Sequence, residues 1–393
     1  MWIIIAMVAL AGTFWYMGWR WETTTKRPKL GKTPLVSILI PAYNSEKTIA
    51  DTIKSAKNLD YPHKEIIVVN DSDDKTPSIC RKLGVRCIQS KIRRGKAYSL
   101  NQAVKKTKGE ILFFIDSDST VSNDSLKKII PWFSDPNTGA VAPRFRIKNR
   151  TNFLTKMISL EHQIQSALFK VHMFLGSMIS FRGCGVAIRR SVFERLGGWP
   201  QTLIEDTDFA GDMLTNGLNI HYEPDALVET IEPDTYSELK RQRIRWGKGT
   251  LYSFTHHKKT YKRNSQFMVY FIPYILLILG IIGFFLWQTA LFFIPIISLY
   301  MFYAIGIKEV ILLLIIFMAP LYTNAAAAVT TAALGHIAIV TYGEEKDRRG
   351  DWIYIIPYIF IYFPMMIGFY LKGIIAGMKD NKKGKPEIDF NDW

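Results

Sequence analysis

Asp116 and Asp118 lie two residues apart at the end of the apolar run Ile111-Leu112-Phe113-Phe114-Ile115. On an extended segment, side chains two apart share a face, so both carboxylates point one way and Ser117 the other. Two hard oxygen donors at a strand end suit Mg2+ or Mn2+, leaving positions for water and a substrate phosphate. Asp71 ends a second apolar run, Ile66 to Asn70. There a carboxylate can accept hydrogen bonds from a nucleobase imide or a ribose hydroxyl, and capping of the next helix fits the position equally. Arg93, Arg94 and Lys96 surround Gly95 just before a helical stretch, a pattern that reads either as a phosphate cradle or as a basic surface loop.

Glu205 and Asp206 open a further helical stretch after Gly197-Gly198-Trp199-Pro200. Sugar transfer with inversion needs one base to take the proton of the attacking hydroxyl, and Asp206 is the candidate. Acidic residues are also favoured at any helix N-terminus for electrostatic reasons alone. Gln242, Arg245 and Trp246 stand at i, i+3 and i+4, on one helical face. A guanidinium there can fork onto a diphosphate and an indole can stack under a sugar ring. A basic helix anchored beside a membrane by its tryptophan has the same spacing.

These groups need a scaffold that gathers them. Val36 to Ile40, Ile66 to Val69, Val85 to Ile88 and Ile111 to Ile115 are short apolar or β-branched runs with helical stretches between them, the alternation expected of a parallel sheet flanked by helices. Asn44, Asp71 and the Asp116/Asp118 pair fall just past three of these strands, where ligands of such sheets bind. Gly139 to Pro143 reads as another strand, Asn152 to Phe174 as a helix with one apolar face, and Met178 to Ile188 as extended with a glycine turn. Asp206 to Asn216 is helical, Ile220 to Glu223 and Ala226 to Val228 are strand-like, and Ser237 to about Tyr252 is a basic helix.

Composition divides the 393 residues into a mixed, charged middle and an apolar end. Trp2 to Met17 reads as a short spanning helix; a signal peptide is the alternative, but Trp15, Tyr16, Trp19 and Trp21 look like an interfacial belt and no basic leader precedes the run. Phe267 to Trp287, Thr289 to Ile307, Val310 to about Val340 and Trp352 to about Ile375 are each long enough to cross about 30 Å of hydrocarbon. Pro320, Pro357 and Pro364 allow some of these to bend or lie in the interface. The net charge is +16, with 50 Lys and Arg against 34 Asp and Glu. The basic residues cluster beside the spans, at 20–32 and 256–263, which favours anionic membrane lipids over nucleic acid and puts the middle of the chain on the cytoplasmic side. Cys80, Cys87 and Cys184 form no metal spacing and no disulfide framework.

Taken in order, these motifs resemble the processive, membrane-embedded family-2 glycosyltransferases, the group of cellulose, chitin, hyaluronan and poly-N-acetylglucosamine synthases. Val36 to Asn44 looks like the family's opening strand and turn, Val69-Asn70-Asp71 like its nucleoside-binding motif, Gly95-Lys96-Ala97 like its glycine-lysine motif and Asp116-Ser117-Asp118 like its metal motif. Ile204-Glu205-Asp206 is similar to its Thr-Glu-Asp motif with the base last, and Gln242 to Trp246 to Gln-x-x-Arg-Trp. The resemblance implies a GT-A (Rossmann-like) α/β catalytic domain with an α-helical transmembrane region, a UDP-sugar donor, Mn2+ or Mg2+, and inversion at the anomeric carbon. It implies donor contacts from Ala42, Tyr43, Asn44, Asp71, Lys96, Asp116, Gln242 and Arg245, metal ligation by Asp118 with Asp116, and acceptor contacts from Gly183, Cys184, Gly185, Glu205 and Trp246. Asn70 and Ile204 depart from the family pattern, where an acidic residue and a threonine are usual, and Ser72-Asp73-Asp74 lacks the usual glycine.

The expected organisation is a membrane helix over 1–19, a basic linker over 20–33, the catalytic domain over 34–255, transmembrane and interfacial helices over 256–376 and a charged tail over 377–393. The expected protein is an integral, multi-pass membrane enzyme that extends a polysaccharide or oligosaccharide at the cytoplasmic face and passes it across the bilayer. A non-processive enzyme that glycosylates a ceramide, diacylglycerol or polyprenyl phosphate shares the same motifs.

Overall fold

The computed structural model describes residues 2–29, 31, 33–90, 94–263 and 353–381. Eight strands form one mixed sheet: β1 (Val36–Ala42), β2 (Lys64–Asn70), β3 (Arg86–Gln89), β4 (Ile111–Phe114), β5 (Thr120–Val121), β6 (Thr138–Ile147), β7 (Val186–Arg189) and β8 (Asn219–Thr230), in the order β3-β2-β1-β4-β7-β6-β8-β5. The helices between them are α2 (Ile49–Lys57), α3 (Thr76–Lys82), α4 (Lys96–Val104), α5 (Ser125–Ile129), α6 (Phe153–Phe174), α7 (Arg190–Arg195) and α8 (Glu205–Thr215). Helix α1 (Trp2–Thr24) precedes the sheet, while α9 (Tyr236–His256), α10 (Lys258–Arg263) and α11 (Phe363–Asn381) follow it.

β1 and β4 read as unbroken apolar runs because they are central strands covered on both faces; Val36 to Ile40 and Ile111 to Ile115 are all buried. β3, β2, β1 and β4 are parallel, so Gln89, Asn70, Ala42 and Phe114 end on one edge of the sheet. β7 runs antiparallel to β4, with Val186 opposite Phe114, which brings the residues just before β7 to that same edge. Gly183-Cys184-Gly185 thus meets the loop after β4, where Cys184 Sγ takes the N–H of Asp116, 68 residues away in sequence.

The extended reading of Met178 to Ile188 is realised only from Val186, because residues 178–185 form an irregular loop. Conversely, Ile220 to Glu223 and Ala226 to Val228 join into one strand, β8, whose pairing with β6 jumps from Pro143 opposite Glu223 to Arg144 opposite Leu227. Pro224 lacks an N–H, so a bulge is where it fits. α6 starts at a capping box in which Thr155 N–H donates to Asn152 Oδ1 (2.9 Å) and Asn152 N–H donates to Thr155 Oγ1 (3.1 Å).

Two helices carry membrane expectations among the described residues. α1 packs along α6, with Gly18 3.6 Å from Lys170 Cβ as a Cβ would see it and Lys170 Nζ 2.8 Å from Glu22 Oε2. Trp15, Tyr16 and Trp19 are exposed, whereas Trp21 is buried in the main core and is not part of an exposed belt. Among the described residues one helical stretch, Ile355–Asp380, is long and apolar enough to cross a membrane. It passes through a π-helical turn at Tyr358–Tyr362, just after Pro357, and continues as α11 to Asn381, so residues 377–381, expected in a charged tail, are helical. The expected spans between Phe267 and Val340 lie outside the described residues.

α11 does not stand apart from the sheet domain. It crosses α9 at a pair of glycines: a Cβ on Gly373 would lie 2.3 Å from Ile244 O, and one on Gly247 2.5 Å from Tyr370 O. Ile147, Met157, Ile158 and Leu239 share a second buried cluster with Ile355, Tyr362, Phe363 and Phe369. At the same junction the Arg243 guanidinium, 1% exposed, grips Glu161 with two hydrogen bonds of 2.9 Å, and Tyr362 donates to Glu161 Oε2.

Candidate active site

Lys96 is the hub of the site. As the first residue of α4, after Gly95 in the left-handed region (φ 85°), it reaches Asp116 Oδ1 at 2.6 Å and Glu205 Oε1 at 3.7 Å. Burial alone would lower the Lys96 pKa, but Asp116 and then Glu205 more than offset it and the ammonium is held well above its ordinary range. Burial pushes the Glu205 carboxyl up; Lys96 opposes this and Asp206 adds to it.

Asp118 is pushed up to about 6, first by burial and then by Asp116, while Ser119 Oγ donates to its Oδ1 at 2.9 Å. Burial and the neighbouring Asp116 charge make the Asp118 carboxylate costly to ionise, and Lys96 offsets this only in part. The donor set is oxygen only, and added positive charge is what it lacks; a hard divalent cation such as Mn2+ or Mg2+ fits it. Cys184 lies beneath this loop. Its thiol accepts the Asp116 N–H at 3.4 Å, and burial, with Asp116 adding, drives its pKa far up, so it remains a thiol.

Asp206 is held in place by backbone donors. Its Oδ2 accepts the Gly183 N–H at 2.8 Å and its Oδ1 the Thr207 N–H at 2.7 Å. The glycine that must be a glycine here is Gly185, at φ 66°, where a Cβ would stand 2.5 Å from Val228 Cγ2. Ile204 precedes α8 and offers no side-chain cap. It acts by packing: a Cβ on Gly249 of α9 would lie 2.6 Å from Ile204 Cγ1, so the isoleucine in place of threonine is a knob seated on a glycine.

Asp71 lies past β2 with Ser99 Oγ of α4 donating to its Oδ2 at 2.5 Å. Capping of α3 falls instead to Asp74, which accepts from the Thr76 N–H at 3.2 Å and from its hydroxyl at 2.9 Å. The buried Asn70 side chain donates to Ser72 O (2.6 Å) and Gln89 Oε1 (3.0 Å) and accepts from the Ser72 hydroxyl (3.1 Å). An acid at 70 could not donate those two bonds, which accounts for asparagine beside a loop without glycine. Past β1, Asn44 takes a left-handed φ of 51° and its N–H donates to Ser72 Oγ at 2.9 Å, so the turn of Ala42, Tyr43 and Asn44 is tied to the Asp71 loop.

On α9, Arg245 donates to Leu203 O at 3.1 Å and adds its charge to the field at Glu205, which places it beside the start of α8. Gln242 reaches Glu232 Oε2 at 3.4 Å. The Arg243 guanidinium lies 4.2 Å over the Trp246 ring, so one indole face is already covered by a cation. The expectation that Trp246 stacks a sugar concerns its other face. Arg94, expected with the phosphate cradle, lies 5.1 Å over Tyr98, and Arg93 is outside the described residues.

Sequence reasoning missed three supports. Asn101 exchanges two hydrogen bonds with the Trp199 backbone (2.8 and 2.9 Å), and Gly198, at φ 82°, leaves room for it; together they fix the loop that enters α8. Arg182 joins Glu232 Oε1 (2.9 Å) to Gln165 Oε1 (2.9 Å), and His162 Nε2 lies 3.0 Å from the same Glu232 oxygen. Burial would raise the Glu232 pKa, yet His162, Arg182 and Arg243 hold it well below the carboxylate range. Their only sequence signal was adjacency, Arg182 to Gly183 and Glu232 to the end of β8.

Residues 37–197 match the family described as glycosyl transferase family 2. A poly-β-1,6-N-acetyl-D-glucosamine synthase of Staphylococcus epidermidis is 30% identical over 222 residues, 54% of each chain. The probable glycosyltransferase YdaM of Bacillus subtilis is 32% identical over 256 residues, 60% of each. The chain thus spans about half the length of the curated relatives it matches. The mannosyltransferase PcManGT of Pyrobaculum calidifontis, solved with GDP-Man and Mn2+, superposes with a TM-score of 0.56 at 22% identity, covering 86% of this chain and 97% of its own. That likeness shows a GT-A-like α/β fold.

Proposed function

We propose, from the premise that residues 37–197 are a family-2 glycosyltransferase domain, that this chain transfers a sugar with inversion from a UDP-sugar to a growing glycan at a membrane surface. The observation that carries the reading is the contact between Lys96, Asp116 and Glu205 beside an Asp206 oriented by the Gly183 N–H. It brings the segments of Lys96, Asp116, Glu205 and Asp206 together at the sheet edge, which is what a shared donor and acceptor site requires.

In this reading Asp71, with the Ala42 to Asn44 turn, receives the nucleoside. Lys96 and Arg245 receive the diphosphate, which must replace part of the hold that Asp116 and Glu205 have on Lys96. Asp116 and Asp118 are the residues that would hold Mn2+ or Mg2+, and a bound cation would neutralise charge on the departing diphosphate. The acceptor hydroxyl oxygen forms a bond to the anomeric carbon on the face opposite the donor oxygen, whose bond breaks with its electron pair leaving on UDP. Asp206 takes the hydroxyl proton, and the two N–H groups on its oxygens fix the carboxylate plane toward the acceptor. A single displacement of this kind inverts the configuration.

Relatives named as poly-β-1,6-N-acetyl-D-glucosamine synthases support a polymeric product and make UDP-N-acetylglucosamine the first donor to try. The GDP-Man bound by the mannosyltransferase makes guanosine donors the necessary control. The membrane setting is supported by the apolar stretch Ile355–Asp380, whose outward residues Ile356, Ile361 and Ile375 are exposed. The full chain in lipid nanodiscs, given Mn2+ and a panel of labelled UDP- and GDP-sugars, tests the reading by nucleotide release and product length. A ladder of products from a UDP-sugar supports it; a single-sugar lipid as sole product replaces it with the lipid glycosyltransferase, and no transfer from any UDP-sugar overturns the donor assignment.

A further inference from the structure

The chain carries a second constellation of ligand-type side chains, away from Asp116 and Asp118 and unlike them in chemistry. Asp212 on α8, His256 at the end of α9 and His257 at its C-cap offer three ligand atoms all within 4.8 Å of one another. Asp208, one turn earlier on α8, holds the His257 ring, its Oδ1 being 3.0 Å from His257 Nε2, with Asp212 Oδ1 4.0 Å from the same nitrogen. Ligand bonds of about 2.0 to 2.1 Å in a tetrahedron set neighbouring donor atoms about 3.3 Å apart, a contraction of less than 1 Å from the 4.0 Å between Asp212 and His257.

The niche is built rather than incidental. His257 is 5% exposed although it belongs to the basic run that leads out of α9. Its ring rests on the α8 backbone at Gly211, where a Cβ would stand 2.4 Å from its Cδ2. The His256 and His257 rings meet at 4.6 Å and 79°, Tyr252 stacks on His256 at 5.9 Å, and Tyr261 closes over His257 at 6.0 Å.

We propose that Asp212, His256 and His257 bind one Zn2+, which clasps α8 to the joint between α9 and α10. Mixed imidazole and carboxylate donors suit zinc, whereas magnesium and calcium favour oxygen-only shells. Asp212 lies six residues beyond Asp206, about 9 Å along the helix, so the ion is a structural clasp remote from the transferred sugar. It would hold together the two helices that contribute Glu205, Asp206, Gln242 and Arg245. The proposal does not rest on the sugar donor or on turnover.

The test uses the full chain in nanodiscs, freed of any polyhistidine tag. Zn2+ content after dialysis, the visible spectrum of the Co2+-loaded protein and the melting temperature with and without Zn2+ are compared for wild type, His256→Gln, Asp212→Asn and Asp118→Asn. His256 is exposed, so His256→Gln leaves the buried packing intact. Expected are one Zn2+ equivalent that survives Asp118→Asn, a tetrahedral Co2+ spectrum, a melting temperature raised by Zn2+, and affinity weakened more than about 100-fold in His256→Gln and Asp212→Asn. Zn2+ affinity unchanged in both variants, or a bound equivalent that disappears only in Asp118→Asn, overturns the proposal and leaves His257 and Asp208 as a plain buried hydrogen-bonded pair.

Discussion

Each carboxylate of the cleft is distinguished by what it touches, and its variants should separate accordingly. Among the described residues Asp206 accepts hydrogen bonds from the Gly183 and Thr207 N–H groups and the Thr207 hydroxyl, so Asp206→Asn should fold, bind donor and lose transfer by at least about 100-fold, read as product formation against retained UDP-sugar binding. Asp118 should respond to pH. Its folded pKa of about 6 exceeds that of an unfolded aspartate, so the metal-free fold gains stability as pH falls through about 6 and pays a penalty above it. A divalent cation competes with that proton, so Mn2+ should raise the melting temperature more at about pH 7.5 than at about pH 5; the opposite order would exclude Asp118 as a ligand. Asp118 was legible in the sequence because it sits just past an apolar run that ends at the sheet edge, and Asp206 because it opens a helical stretch after Gly197-Gly198-Trp199-Pro200. Ser99, Asn101, Arg182 and Glu232 were not, because their partners lie 10 to 98 residues away and only the folded topology pairs them.

Elements rather than single residues decide where Asp206 and Arg245 stand relative to each other. α8 carries Glu205 and Asp206, α9 carries Arg245, and the two helices meet where Ile204 seats on Gly249. Gly249→Val should force them apart at a cost of about 1–3 kcal/mol, and transfer should fall further than the loss of melting temperature explains, because Arg245 moves with α9. The buried Arg243–Glu161 pair fastens α9 to α6, and Glu161→Gln leaves a buried guanidinium without its anion, a loss of about 3–5 kcal/mol measurable by denaturant or thermal unfolding. The parallel half of the sheet was readable from its unbroken apolar runs, and α6 from its one-faced apolar pattern. The antiparallel half was less so. β8 contains a bulge that local patterning splits in two, and the approach to β7 is shaped by Gly185 and its contact with Val228 rather than by strand propensity.

At the scale of the whole molecule, the sheet domain and the C-terminal helix behave as one body. A division near residue 256 is what composition suggests, since polarity changes there; yet the second buried cluster draws on α6, α9 and the Ile355–Asp380 stretch alike. Composition records solvent preference and not partnership, so it cannot show that an apolar helix packs one face on protein while leaving the other outward. The glycine crossing makes this testable in the intact chain. At Gly373 even a Cβ would sit 2.3 Å from a backbone carbonyl of α9, and no side-chain rotamer relieves that contact. Gly373→Leu should therefore displace α11, lower the melting temperature, and weaken transfer through the Gln242 to Trp246 segment that α11 supports, with the protein still membrane-associated. Gly368→Ala, where a Cβ meets nothing within 4 Å, is the matched control and should change neither. If Gly373→Leu melts and turns over like wild type, the C-terminal helix is an independent attachment and the catalytic body ends before it.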